Sequence, residues 1–212
     1  MKEIVDRLMS MQDHDYREFH KRLVPNLDGD RIIGVRTPRL RAYARELARD
    51  PRREEFLAEL PHRYYEENNL HAWLVASCSR DIEVVLARVN EFLPYVDNWA
   101  TCDMFAPKIF ARHTGRVERE VRRWLADSHV YTVRFGIVTL LEFYLGDSFR
   151  MEHLDWVASV RNDDYYVRMA VAWYFSMALV KQFDAALPVI ESRRLDRWTH
   201  NKSIQNRELS HR

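Results

Sequence analysis

Tyr131-Thr132-Val133-Arg134, running into Phe135–Leu145, is echoed by Tyr165-Tyr166-Val167-Arg168, running into Met169–Leu179. The offset is 34 residues, the length of one two-helix solenoid repeat. Both phrases open stretches whose apolar residues recur at helical spacing. Stacked helical repeats bury one face of each helix and set the others side by side along a concave surface. The echo therefore predicts an α-solenoid whose groove accepts something long. Shorter echoes agree: Val35-Arg36 lies 98 residues before Val133-Arg134, and Asp97-Asn98-Trp99 lies 99 residues before Asp196-Arg197-Trp198.

Working outward, helical periodicity runs from end to end. Ile4, Leu8 and Met11 form a first apolar stripe, and Tyr16, Phe19 and Leu23 a second that Pro25 stops. Thr37-Pro38 reads as a capping hydroxyl followed by proline at the first helical position. Leu40, Tyr43, Ala44 and Leu47 then share one face. Further helices are expected over 52–60, 64–78, 81–93, 98–113, 115–127, 131–145, 149–160, 164–180, 183–193 and 198–209, with Asp81 as one cap. No alternating strand pattern, low-complexity tract or long linker interrupts them. The expectation is one all-α domain spanning residues 1–212.

The chain has 212 residues, 47% of them hydrophobic and 31% charged, which excludes a disordered segment. Its five glycines are too few and too scattered for a P-loop or a dinucleotide fingerprint. The nine histidines form no HxxxH or HExxH pair, so no helical metal site is expected. Cys78 and Cys102 sit within apolar helical patterns and read as reduced, buried thiols. The charged N-terminus lacks a signal-peptide core and no window reaches membrane-spanning length, so a cytoplasmic protein is expected. Net charge is only +1, but residues 107–212 hold 17 Lys/Arg against 13 Asp/Glu.

Any chemistry must therefore come from carboxylates, aromatics and arginines on helices. Trp99 and Asp103 stand at i and i+4, neighbours on one helical face. An indole face attracts positive charge, and a partly desolvated carboxylate stabilises it. The plainer alternative is a core tryptophan beside an aspartate at a helix edge. Trp173 lies in a helix that also carries Tyr165, Tyr166, Tyr174 and Phe175. Aromatics on nearly every face of one helix must leave some exposed, and exposed aromatics mark binding surfaces. Arg134 and Arg168 occupy equivalent places in successive inner helices. They serve either as salt bridges to the next repeat or as a ladder of phosphate contacts. Arg116, Arg119, Arg122 and Arg123 form one basic run; Arg193, Arg194, Arg197, Lys202 and Arg207 form another. Each run suits a solvated face, and two on one half raise the case for nucleic-acid backbone.

These segments together resemble the DNA alkylation repair family, HEAT-like repeat proteins that include alkylpurine DNA glycosylases. Ile33-Gly34-Val35-Arg36-Thr37-Pro38 is similar to the family's Gly-x-x-Thr-Pro opening. Asn98-Trp99-Ala100-Thr101-Cys102-Asp103 is similar to its Trp-Asp-x-Val-Asp motif. Arg134 falls at the arginine of the next inner helix, Trp173 at the tryptophan of the helix after that, and Trp198–Ile204 also looks family-like. Two stretches depart from the pattern. Met169-Ala170-Val171-Ala172-Trp173 stands where active members carry Lys-Ala-Ile-Gly-Trp, and the short stretch from Asp13 to Asp30 looks like a shorter branch of the family.

The resemblance implies a right-handed superhelical solenoid of HEAT-like antiparallel helix pairs that binds double-stranded DNA, alkylated or structurally distorted. It further implies excision of cationic N3- or N7-alkylated purines without a base-flipping pocket. Asp103 would then stabilise the sugar cation and position a water, while Trp99 and Trp173 pack against the deoxyribose. Arg134, Arg168, Tyr165, Tyr166 and Lys202 would contact DNA. No cofactor or metal is implied, and a monomer is expected. Two alternatives stay open: a non-catalytic binder of branched or damaged DNA on the same scaffold, and a protein-interaction solenoid.

Overall fold

The computed structural model describes the backbone of residues 2–209 and the side chains of residues 2–207. Among these residues every regular element is helical, and no helix is long and apolar enough to cross a membrane. The chain divides into two compact units between Ile109 and Phe110. The first holds α1 (Lys2–Met9), α2 (His14–Leu23), α3 (Thr37–Leu47), α4 (Arg52–Ala58), α5 (Tyr65–Ala76), α6 (Ile82–Phe92) and α7 (Trp99–Met104). The second holds α8 (Thr114–Leu125), α9 (Val130–Phe143), α10 (Met151–Ser159), α11 (Tyr165–Lys181), α12 (Phe183–Glu191) and α13 (Arg197–Leu209).

In the first unit α5 is the central helix, packed against α3, α4, α6 and α7. Its buried positions include Glu66, Glu67, Asn68, Asn69 and His71 beside Leu70, Ala72, Leu74 and Val75. Buried polar groups are tolerated when they are hydrogen-bonded, and most of these are. The Glu66 carboxylate accepts the backbone N–H groups of Ile33 (3.0 Å), Gly34 (2.7 Å) and Val35 (3.2 Å). Burial still raises the Glu66 carboxyl above its ordinary value, against the pull of those three N–H groups. Glu67 accepts the Tyr64 N–H at 2.8 Å, and the His62 and His71 ring nitrogens meet at 2.9 Å.

The Gly-x-x-Thr-Pro segment is a latched loop. Gly34 has φ +93, and a Cβ there would stand 2.5 Å from Arg17 Cβ and 2.7 Å from the Asp13 carbonyl oxygen, so glycine is required. Arg17 donates to the Ile32 and Gly29 carbonyls. Pro38 sits in the first turn of α3 as expected, but Thr37 is not its cap. Thr37 is already helical, Arg36 stands at the N-cap without a capping side chain, and the Thr37 hydroxyl lies 3.2 Å from Tyr16 Oη. Asp81 does cap α6, accepting the Glu83 N–H at 2.9 Å.

The helix expected over 98–113 stops at Met104. Pro107 is the physical reason: it lacks an N–H and biases Ala106 away from the α region. The chain resumes as a 3₁₀ turn, Lys108–Arg112. Cys102 is buried, whereas Cys78 is only half-buried.

The second unit builds two rows. α9, α11 and α13 pack side by side, α8 and α12 flank α10, and α8 lies against α9 as α10 and α12 lie against α11. α9 is covered along Tyr131–Leu141, as a helix apolar on all sides must be. α8 is one-faced, with Val117, Val121 and Trp124 buried. Its basic run follows the solvated face: Arg119, Arg122 and Arg123 are exposed. Arg116 and Arg123 both pair with Glu120, and Arg122 lies over Trp156. This run stands in a different row from the repeated Tyr-x-Val-Arg phrase.

Candidate nucleic-acid interface

In the first unit α7 is short and pinned at its start. Asn98 caps it by accepting the Thr101 N–H at 2.8 Å, and Asn98 Nδ2 donates to Thr101 Oγ1 at 3.0 Å. Thr101 Oγ1 in turn donates to Asn69 Oδ1 of α5 at 2.7 Å. Arg31 binds the Asp97 carboxylate at 2.6 Å, and Asn26 donates to the Asp97 carbonyl at 2.7 Å. Trp99 packs against the cluster of Val24, Leu27, Ile32, Tyr65 and Ala100. Its indole N–H donates to the Leu23 carbonyl at 2.9 Å. The ring is fixed in angle yet remains half-buried, and Asp103, one turn on, is also partly exposed. The sequence placed this pair on one face, and α7 carries both in that relation.

In the second unit the arginine of the repeated phrase reaches the next helix both times, by two different bonds. Arg134, 6% exposed, donates from Nη1 to the Tyr166 carbonyl oxygen at 2.7 Å. Arg168 binds Asp196 Oδ1 at 2.5 Å, and its guanidinium stands 4.7 Å from the Trp198 ring centroid. Each arginine thus reaches the start of the next helix in its row. Tyr131 and Tyr166 lie 5.9 Å apart by ring centroid, Tyr165 and Tyr166 5.3 Å, and Tyr165 and Trp198 5.9 Å. Tyr165 is 58% exposed and Trp198 37% exposed, so this cationic and aromatic cluster opens to solvent.

Arg134, Tyr165, Tyr166 and Arg168 are therefore brought together. Trp173 is half-buried further along α11, between the buried Ala172 and Tyr174. Lys202 sits on α13, donating to Gln205 at 3.0 Å. The C-terminal basic run is dispersed: Arg194 pairs with Asp155 and Arg207 lies over Phe183. A cleft of about 550 Å³ beside Arg168 is lined by Arg161, Asn162, Arg194, Asp196 and Thr199 among others, and by neither Trp173 nor Tyr165.

Trp198 is the member of this aromatic cluster that pattern reading did not single out. It appeared only as part of a terminal motif, because a tryptophan one residue inside a helix carries no sign of the arginine that covers it. Among the described residues no group of three or more His, Cys, Asp or Glu is placed to hold a metal ion.

The family described as DNA alkylation repair enzyme matches residues 4–203, nearly the whole chain. The chain belongs to that family, which supports a DNA repair role with DNA as the partner. No curated protein matches it.

Proposed function

We propose that the protein is a DNA glycosylase that hydrolyses the N-glycosidic bond of cationic N3- or N7-alkylated purines in duplex DNA. The observation that carries this reading is the Trp99–Asp103 pair on a helix pinned by Asn98, Thr101 and Asn69. A purine alkylated at N3 or N7 carries formal positive charge and departs with the bonding pair, becoming neutral as it leaves. The deoxyribose is left as an oxocarbenium-like cation, which a nearby carboxylate stabilises. Water, oriented by Asp103, then adds at C1′, and as the new C–O bond forms its proton passes to solvent water. Trp99, held by its hydrogen bond to Leu23, offers its ring face to the cationic sugar. Trp173 takes a packing role against deoxyribose. Asp103 acts on a developing charge, so its effect falls on rate rather than on binding.

Arg168, Tyr165 and Tyr166 supply DNA contacts in this reading, with Lys202 as a further cation. Arg134 acts as a positioning residue, since its Nη1 fixes the backbone of Tyr166. The two rows of the second unit, one of which carries the repeated phrase, support a HEAT-like solenoid. We also propose that the chain works as a monomeric single domain, in the cytoplasm, without a metal.

A second reading, a non-catalytic binder of branched or damaged DNA, draws support from the segment around Trp173. Met169 and Ala172 stand there in place of a basic residue and a glycine. Release of free base from an alkylated duplex separates the two: a glycosylase releases it, whereas a binder retains the duplex intact.

A further inference from the structure

Several arginines of the first unit are matched to acids, among them Arg31 to Asp97, Arg36 to Asp13, Arg52 to Asp50, and Arg53 and Arg88 to Glu54. One group is not. A cleft of about 380 Å³ is lined by Arg41 and Arg45 of α3, Trp73 and Ser77 at the end of α5, and Lys108. Ala44 and Ala48 complete it, and no carboxylate lines it. All three cations are exposed. The Arg41 guanidinium stands 5.1 Å from the Trp73 ring centroid. Stacking holds that guanidinium in place while its N–H edge stays available. The alanine side chains leave room for a tetrahedral anion to approach α3.

Three cations converging without a counter-charge repel one another, and a bound anion relieves that repulsion. A planar guanidinium with further cations beside it suits phosphate oxygens in particular. We propose that this cleft is a phosphodiester site for the DNA backbone, contributed by the first unit and formed by Arg41, Arg45 and Lys108 over Trp73. The assignment rests on the DNA-binding reading above. It adds an electrostatic contact in the half of the chain where acids outnumber bases, so net charge gave no sign of it.

The test is equilibrium binding of a fluorescein-labelled duplex across a salt series. The proteins compared are the wild type, Arg45→Ala/Lys108→Ala, and the charge-matched control Arg7→Ala/Arg22→Ala, whose residues do not line the cleft. Arg45 and Lys108 are exposed, so a melting curve is expected to show the variant folded. Each lost phosphate contact lowers the slope of log K against log salt by about 0.9. The cleft variant is expected to lose about 1–2 from that slope, while the control keeps the wild-type slope. Equal slopes for cleft variant and control would overturn the assignment. Wild type without salt-dependent duplex binding removes the DNA-binding reading and the cleft with it. Salt-dependent wild-type binding with an unaltered slope in the cleft variant removes the cleft alone. Thermal stabilisation by inorganic phosphate that the cleft variant loses, with its duplex slope unchanged, would make this a small-anion site and overturn the phosphodiester assignment.

Discussion

Arg134 on α9 donates a 2.7 Å hydrogen bond to the carbonyl oxygen of Tyr166 at the start of α11. One repeat further on, Arg168 on α11 binds Asp196 at the start of α13. The same residue of the same phrase ties each helix to its successor, but the two ties differ in burial. Arg134 is 6% exposed, whereas the Arg168 and Asp196 side chains are 30% and 50% exposed. Removing a hydrogen bond made by a buried charged group costs about 1.5–3 kcal/mol, and a surface pair contributes about 0–1 kcal/mol. Arg134→Met is therefore expected to lower unfolding free energy by about 2 kcal/mol, and Arg168→Met by less than half of that. Urea denaturation of both variants checks the ordering; equal losses would contradict it.

Exposure inverts the expectation for DNA. Tyr165 and Trp198 form the open part of the second-unit cluster. Tyr165→Ala/Trp198→Ala is expected to leave the melting temperature nearly unchanged and to weaken DNA binding by about 1–3 kcal/mol, the scale of one lost aromatic–base stack. Anisotropy titration at one fixed salt concentration measures this. Unchanged affinity would show that the aromatic cluster does not meet DNA.

Gly34 carries the shape of the latched loop. Alanine there meets Arg17 Cβ and the Asp13 carbonyl at distances no real Cβ keeps, with φ +93. Gly34→Ala is expected to cost about 1–3 kcal/mol from backbone strain alone, with further loss as Glu66 loses its alignment to three N–H groups. A variant that melts with the wild type would contradict the role given to this loop.

How far these features were legible follows from their range. Helix existence is local: apolar spacing marked every long helix, and the Tyr-x-Val-Arg echo fell on α9 and α11. The Asp81 cap was legible because its partner is two residues away. Thr37 carried the same local signal and was misread, because Arg36 took the N-cap position and Tyr16 met the hydroxyl. The helix expected over 98–113 ran through Pro107, whose missing N–H is a local signal for the break. Glu66 and Asn69 are buried in the first turns of α5, where they find partners 32 residues away that no local pattern shows. The Trp99–Asp103 relation is helical arithmetic and was legible. That Arg134 and Arg168 bridge to the next repeat was one of two readings the sequence offered, and both make such a tie; the particular atoms they meet, and the basic cleft over Trp73, depend on packing and were not legible.

The buried His62–His71 pair sets a pH dependence. Burial lowers the His62 imidazole to about 4 and lowers His71 as well. Between the ordinary value of 6.5 and those lowered values the unfolded chain binds more protons than the fold. Stability is therefore full above the unfolded value and falls as pH drops through the window. A loss of about 2 kcal/mol is expected between pH ~7 and ~5.5. Urea midpoints for the wild type and His62→Gln/His71→Asn, which keeps polar groups without titrating, isolate the effect. The variant is expected to lose less over that range; an identical decline would contradict the assignment.

The central claim is that Asp103 carries the chemistry. The most direct measurement is release of free 7-methylguanine from a defined methylated duplex by the wild type and by Asp103→Asn, with duplex affinity measured alongside. The wild type is expected to release base. The variant should lose at least about 10²-fold in rate, the scale of one removed charge-stabilising group, while binding the duplex with near wild-type affinity. Base release by Asp103→Asn at the wild-type rate would take the chemistry away from Asp103. Release by neither protein, with binding intact, would contradict the glycosylase reading for that lesion and leave a binder of damaged DNA.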